Sequence, residues 1–224
     1  MLSGGAVKAS LTAHASLKAI GTNSLASRLT LIAHAATEAQ RRAAFPLDEP
    51  LAQREMAKVA ALGWKAPRAH RVVSGPERRA KQTAEALGLS AENAVELRDC
   101  DYGAWRGYTL SEVEQRQPEE VLAWLTDPGA APHGGESILQ LITRMGDWLK
   151  EQSSVDHTIA VTHPAVIRSA LVHTLQSPAS SFWRIDIAPL SLTDLRWNGR
   201  VWTVRSSGCA LPGDAELAEK RPVG

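Results

Sequence analysis

The chain lacks most of the features that would take it out of the class of ordinary globular enzymes. Its two cysteines, Cys100 and Cys209, lie far apart with no CxxC spacing. That excludes a disulfide framework or a cysteine-based zinc module and fits a reducing, cytoplasmic setting. It also lacks an excess of either charge. With 25 basic and 24 acidic residues the formal net charge is +1, too weak a field to gather nucleic acid or an acidic membrane. No apolar run approaches the roughly 20 residues of a membrane span. Short metal-ligand spacings such as HExxH are missing as well, which argues against a metal site. No internal repeat is visible.

What is present suits one α/β domain: 224 residues, 44% hydrophobic and 22% charged, enough to bury a full core. Residues 1–28 carry Lys8, Lys18 and Arg28 but no acid, and are rich in Ala, Ser, Thr and Gly. Without a continuous apolar segment they read as a flexible extension with a solvated His14, not as a secretory signal. Residues 29–206 read as the domain and 207–224 as a tail.

Within the domain, Leu29–Ala33, Arg71–Ser74 and Thr158–Thr162 are short apolar runs of strand length. Residues 51–62 place Leu51, Met56, Val59 and Leu62 near one helical face, ended by Gly63. Ser74 and Glu77 stand in capping-box register with Pro76 between them, predicting a helix that runs to Leu87. Ser137–Lys150 predicts another, with Ile138, Leu141, Ile142, Met145, Trp148 and Leu149 as its buried stripe. Pro164 opens a third. Strands are expected near 183–188, 190–197 and 200–205, with a hairpin at Asn198-Gly199. Strand, turn and helix alternate, which predicts a three-layer αβα sandwich around a mostly parallel sheet. Residues 97–135, rich in Gly, Pro and Trp, form an excursion, the insertion proper at about 99–135, over its C-terminal edge.

In such sheets functional residues gather at the C-terminal strand ends. His34, Ser74 with the nearby Arg79, and His163 all fall there. Two histidines without further ligands point away from a metal and toward a nucleophile and its partner, because neutral imidazole offers a free nitrogen to phosphorus. His70, His157 and His173 read as bystanders. A phosphoryl site also needs fixed cations, and Arg78 and Arg79 lie in an early helical turn, one of them a solvated face residue. A leaving-group acid is required too, with Asp99 and Asp101 as candidates.

These stretches resemble the histidine phosphatase superfamily, in its phosphoglycerate-mutase-like branch. The family's Arg-His-Gly-x-Thr motif corresponds to Ala33-His34-Ala35-Ala36-Thr37, and its S-x-x-x-x-R-A-x-Q-T-A-E signature to Ser74 through Glu85. Leu97–Gly107 is similar to LxExxxGxWxG, with Asp99 in place of the glutamate. Gly134-Gly135-Glu136-Ser137 matches GGES, and Val161-Thr162-His163 matches the second histidine strand. The resemblance implies a phosphohistidine nucleophile at His34, phosphate contacts from Arg79 and His163, and Asp99 as proton donor. It also implies Thr37 and Ser137 in the pocket wall and Glu136 in support.

The implied activity is metal-independent hydrolysis of a small phosphomonoester. Alternatives are a phosphoglycerate-type mutase and a weakened module that only binds a phosphorylated ligand. Ala33 stands where the family has a clamping arginine, a loss worth about 10²–10³ in rate. Arg41, Arg42, Arg98 and Arg106 are candidates to replace it. For Asp99 to donate a proton near neutrality its pKa must rise from about 3.9, which predicts an acidic optimum. Selectivity is expected from residues 45–50 and 105–135, with Trp105, Trp124 and Tyr108 available for stacking.

Overall fold

The structure is a computed structural model and describes residues 26–212. The expectations for residues 1–25, His14 among them, and for 213–224 lie outside the described residues. Six strands form one sheet: β1 (Ser27–Ala33), β2 (Arg71–Ser74), β3 (Glu92–Asn93), β4 (His157–Thr162), β5 (Ser191–Trp197) and β6 (Trp202–Ala210). Their order is β3-β2-β4-β1-β5-β6. The first four are parallel, while β5 and β6 add an antiparallel edge.

The helices are α1 (Glu38–Arg41), α2 (Gln53–Ala61), α3 (Arg78–Ala86), α4 (Leu110–Arg116), α5 (Pro118–Thr126), α6 (Ile138–Gln152) and α7 (Pro164–Thr174). The pleat sends alternate residues of β1 to opposite faces. Leu29, Leu31 and Ala33 join a core with Leu141 and Met145 of α6 and Val166 and Ala170 of α7. Ile32 joins a second core with Val59 of α2 and Ala84 of α3. Because both faces of the central strands are covered, those strands are buried along nearly their whole length. This is the three-layer αβα arrangement.

The helix expected from Ser137 forms as α6, with Ser137 as its cap: Ser137 accepts from Gln140 N–H and Gln140 reaches back to Ser137 N–H. Gly63, at φ +60°, follows α2. The hairpin at Asn198-Gly199 also forms, Gly199 taking φ +91°.

Two expected elements differ. The strand predicted near 183–188 does not form: its first two residues end a 3₁₀ turn at Ala179–Arg184 and residues 185–188 have no regular secondary structure. Phe182 of the turn is buried in the α6–α7 core and Trp183 packs on Trp124. Its apolar spacing suits a tight turn as well as a strand. The helix predicted from a Ser74–Glu77 capping box starts at Arg78 instead. Ser74 is held in β2 by pairing with Asn93 and Val161, and the Glu77 carboxylate is engaged elsewhere.

Residues 99–135 carry α4 and α5 around a third, aromatic cluster of Phe45, Trp105, Val113, Val121 and Trp124. Gly103 and Gly135 tie this excursion to the start of α6. A Cβ on Gly135 would lie 2.0 Å from the Asp101 carbonyl oxygen, so only glycine permits the approach.

Candidate active site

Strand register brings the site together. In the parallel β1–β4 pair Ala33 lies opposite Thr162, so the next residues, His34 and His163, leave the sheet side by side. The His34 N–H donates to the Thr162 carbonyl at 2.9 Å, and the rings meet edge to face with centroids 5.2 Å apart. On the other side of β4, the Gly75 N–H donates to Val161. A Cβ on Gly75 would lie 2.9 Å from His163 Nε2 and 2.8 Å from the Leu97 carbonyl oxygen, so glycine is required beside the second histidine.

His34 is buried, and its Nδ1 lies 2.8 Å from the Ala35 carbonyl oxygen. A carbonyl only accepts, so Nδ1 carries the proton and Nε2 holds the lone pair. Burial, followed by the charges of His163 and Arg79, lowers the His34 pKa to about 3. The ring is therefore neutral across the physiological range. The backbone around it is pinned: Ala35 N–H donates to Thr83 Oγ1, which itself donates to the Arg79 carbonyl.

Arg79, on the first turn of α3, is almost fully buried. It donates to the Leu47 carbonyl at 2.8 Å and to Asp99 Oδ2 at 2.7 Å. Its neighbour Arg78 is exposed, as expected of one of the pair. Burial alone would raise the Asp99 pKa, but the charges of His163 and Arg79 outweigh it and hold the carboxyl below its usual range. These charges thus oppose the rise that the sequence led us to expect. Asp101 accepts from Gly103 N–H and faces a neighbouring hollow with Arg98 and Arg106.

Beside His34 lies a cavity of ≈ 230 Å³ whose wall includes Thr37, Arg79, Asp99, Tyr102, Trp124 and Arg168. Thr37 also caps α1, accepting from Gln40 N–H. Ser137 is placed differently: it caps α6 and lines a separate groove with Gly135 and Arg144. Glu136 sits behind the site, forming a two-pronged pair with Arg144 at 2.8 and 2.7 Å. Arg144 in turn donates to the carbonyls of Glu96, Arg98 and Asp99, fixing the backbone that carries Asp99.

The arginines named as replacements for the one missing at Ala33 are not in this cavity wall. Arg41 pairs with Glu55 at 2.7 Å, Arg98 lies 3.7 Å from Glu136, and Arg106 lines the neighbouring hollow. Arg168 of α7, which the sequence did not single out, is in the wall instead. Phe45 and Pro46 of the expected selectivity segment also line it. Trp105 packs in the aromatic cluster with its Nε1–H on Gln117, and Tyr108 is exposed under Arg116.

Glu77 is the other omission. Its Oε2 lies 2.7 Å from His163 Nε2 and its Oε1 accepts from Asp99 N–H at 3.0 Å. It falls in the variable part of the signature around Arg79, where its capping-box spacing suggested another role. His157 is a hydrogen-bonded core residue, contacting the Arg68 carbonyl and Thr30. Among the described residues no group of three or more His, Cys, Asp or Glu could hold a metal ion, and no helix is long and apolar enough to cross a membrane.

The sequence model of the histidine phosphatase superfamily (branch 1) matches residues 29–210. The chain is similar to glucosyl-3-phosphoglycerate phosphatase of Mycolicibacterium vanbaalenii, with 31% identity over 78% of this chain and 93% of that protein. It is also similar to phosphoserine phosphatase 1 of Hydrogenobacter thermophilus, with 26% identity over 70% and 80%. Among solved structures, a mycobacterial glucosyl-3-phosphoglycerate phosphatase in complex with VO3 superposes with a TM-score of 0.72 and 24% identity, covering 82% of this chain and all of that one. That last likeness shows the fold. The chain belongs to the histidine phosphatase superfamily, and these relatives are phosphatases.

Proposed function

We propose that this member of the superfamily is a cytoplasmic phosphomonoesterase that needs no metal and works through a phosphohistidine on His34, within a domain spanning residues 29–206. The observation that carries this reading is the Nδ1 contact with the Ala35 carbonyl, which leaves Nε2 as a neutral nucleophile beside Arg79 and Asp99.

In the first step His34 Nε2 attacks phosphorus in line, the P–O ester bond breaks, and Asp99 gives its proton to the departing alcohol. In the second, Asp99 takes a proton from water as that water attacks the phosphohistidine, releasing inorganic phosphate and neutral His34. A bound phosphoryl group draws Arg79 away from Asp99 and sets a new anion beside it. Both effects raise the Asp99 pKa from its depressed resting state. His34 loses its lone pair only below about pH 3, so the acid side, where Asp99 gains its proton, is where turnover is expected to be fastest.

The substrate is a small phosphorylated metabolite. Its alcohol part would rest against Phe45, Tyr102 and Trp124, with Arg168 at hand for an anionic group. The relatives named for glucosyl-3-phosphoglycerate and phosphoserine define the panel to try first. Ala33 supports a second reading, a module that binds phosphorylated ligands without turnover.

A phosphate-release assay over that panel, with acid-quenched protein probed for phosphohistidine, separates the two. Turnover and trapped phosphate, both lost in His34→Ala, are expected. Ligand binding with neither would replace the enzyme by the binding module. Turnover that survives His34→Ala would remove His34 as nucleophile.

A further inference from the structure

The phosphate clamp is short of positive charge. Ala33 contributes none, Arg79 is paired with the carboxylate of Asp99, the Arg168 of the cavity wall lies 3.8 Å from Asp186, and His34 is neutral. A phosphoryl group nonetheless needs charged donors. The surroundings of His163 address the deficit.

His163 is fully buried. Its Nε2 meets Glu77 Oε2 at 2.7 Å, and its Nδ1 has no hydrogen-bond partner. That Nδ1 lies 3.6 Å from Asp99 Oδ2, the same oxygen that takes Arg79 in the wall of the His34 cavity. An ionised carboxylate only accepts, so the Nε2 proton stays between His163 and Glu77. With that proton alone, Nδ1 would present a lone pair to an anionic phosphoryl oxygen, which is repulsive. Only the doubly protonated ring has an Nδ1–H to give.

We infer that Glu77 is a positioning residue that holds His163 as an imidazolium, so that His163 Nδ1–H supplies the second cationic donor absent at Ala33. The inference rests on reading this cavity as a phosphoryl site. Charged and titratable groups face His163 from the neighbouring segments: His34 just after β1, Glu77 and Arg79 at the start of α3, and Asp99 at the start of the insertion. The two carboxylates favour the charged ring, and Arg79 opposes it. On its outer side Glu77 borders the hollow of Asp48, Arg98, Asp101 and Arg106. Glu77 is itself fixed by the Asp99 N–H. Burial alone would raise its pKa, but the hydrogen bond and charge of His163 hold it below the usual carboxylate range. This geometry parallels the carboxylate–imidazole pair of a catalytic triad, where an anion behind the ring stabilises its protonated state.

Sulfate binding to the full chain tests this, because sulfate stays a dianion from about pH 5 to about pH 9, the range over which imidazole titrates. Calorimetric titrations would compare the native chain with Glu77→Gln, Glu77→Leu and the charge-retaining Glu77→Asp. Thermal unfolding confirms that each is folded. Near neutral pH, Glu77→Gln and Glu77→Leu are expected to bind sulfate about tenfold more weakly or worse, the worth of one charge-assisted hydrogen bond. Their affinity falls off at a lower pH than in the native chain, the deficit closes toward acid pH, and Glu77→Asp follows the native profile.

Identical pH profiles in the native chain and Glu77→Gln would overturn the inference. So would tighter sulfate binding in Glu77→Gln, which would make Glu77 a competing anion, or no sulfate binding by the native chain. If the sulfate profiles move as expected while no phosphoester is hydrolysed, the hydrolase reading fails and the role of Glu77 stands. If hydrolysis proceeds and the profiles do not move, only the role of Glu77 fails.

Discussion

The two histidines of the site start from equivalent places and end in opposite environments. Each follows the last residue of a buried parallel strand, the strands are neighbours, and the rings touch. His34 meets a backbone carbonyl, a neutral acceptor that fixes one proton on Nδ1 and leaves Nε2 bare. His163 meets the carboxylates of Glu77 and Asp99, which favour a second proton. One imidazole is thereby prepared to attack and the other to donate. The division is made by what stands one hydrogen bond away, since the residue type and strand position are the same.

The most direct way to break this comparison is to remove the lone pair. His34→Ala is expected to lower turnover by about 10⁴ or more while leaving sulfate binding largely intact. Loss of sulfate binding of comparable size would make His34 a binding group and erase the distinction. Next in size is Asp99→Asn, worth about 10²–10⁴ for an alkyl ester and much less for a nitrophenyl ester, whose leaving group needs no proton. An equal loss on both esters would take Asp99 out of the acid role. His163→Ala, which removes one donor to the phosphoryl oxygens, is expected to cost about 10²–10³ in kcat/KM on both kinds of ester. A dependence on leaving group in that variant would instead make His163 the proton donor.

The sequence exposed the parts of this arrangement that strand periodicity and linear motifs can express. Short apolar runs of strand length placed His34 and His163 at strand ends, and the short signature around Arg79 marked the guanidinium that is found buried there. Glu77, Arg144 and Arg168 were not legible, because each acts across the fold. Glu77 touches a residue 86 positions away. Arg144 braces carbonyls 45 to 48 positions away. Arg168 reaches the cavity from α7, far along the chain from His34 and Arg79. Glu77 was also masked by a local pattern: capping-box spacing fits it, but β-pairing of Ser74 and the pull of His163 override that propensity. The turn at Ala179–Arg184 fails for a related reason, since the burial of Phe182 decides its path and apolar spacing does not.

The smallest expected effect concerns stability, and it isolates His34 from its partner. In the unfolded chain His34 takes up its proton near pH 6.5, whereas in the fold it stays neutral to about pH 3. A depressed pKa of this kind gives stability that is complete above about pH 6.5 and is lost as pH falls toward 3. Glu77 and Asp99, also depressed, act with the same sign but only below about pH 4. Above about pH 5 the carboxylates stay largely ionised in both states, and histidine protonation dominates the change. His133, His157 and His173, lowered first of all by burial, share that window. The difference between the native chain and His34→Asn therefore separates the His34 contribution from theirs. One proton is worth about 1.4 kcal/mol per pH unit, so from pH 6.5 to pH 5 the native chain should lose up to about 2 kcal/mol more than the variant. That corresponds to roughly 4–8 °C in Tm for a chain of this size. Melting curves of the two proteins that fall in parallel over that window would show that His34 accepts its proton in the folded state. The neutral nucleophile, and with it the contrast between the two histidines, would then have to be abandoned.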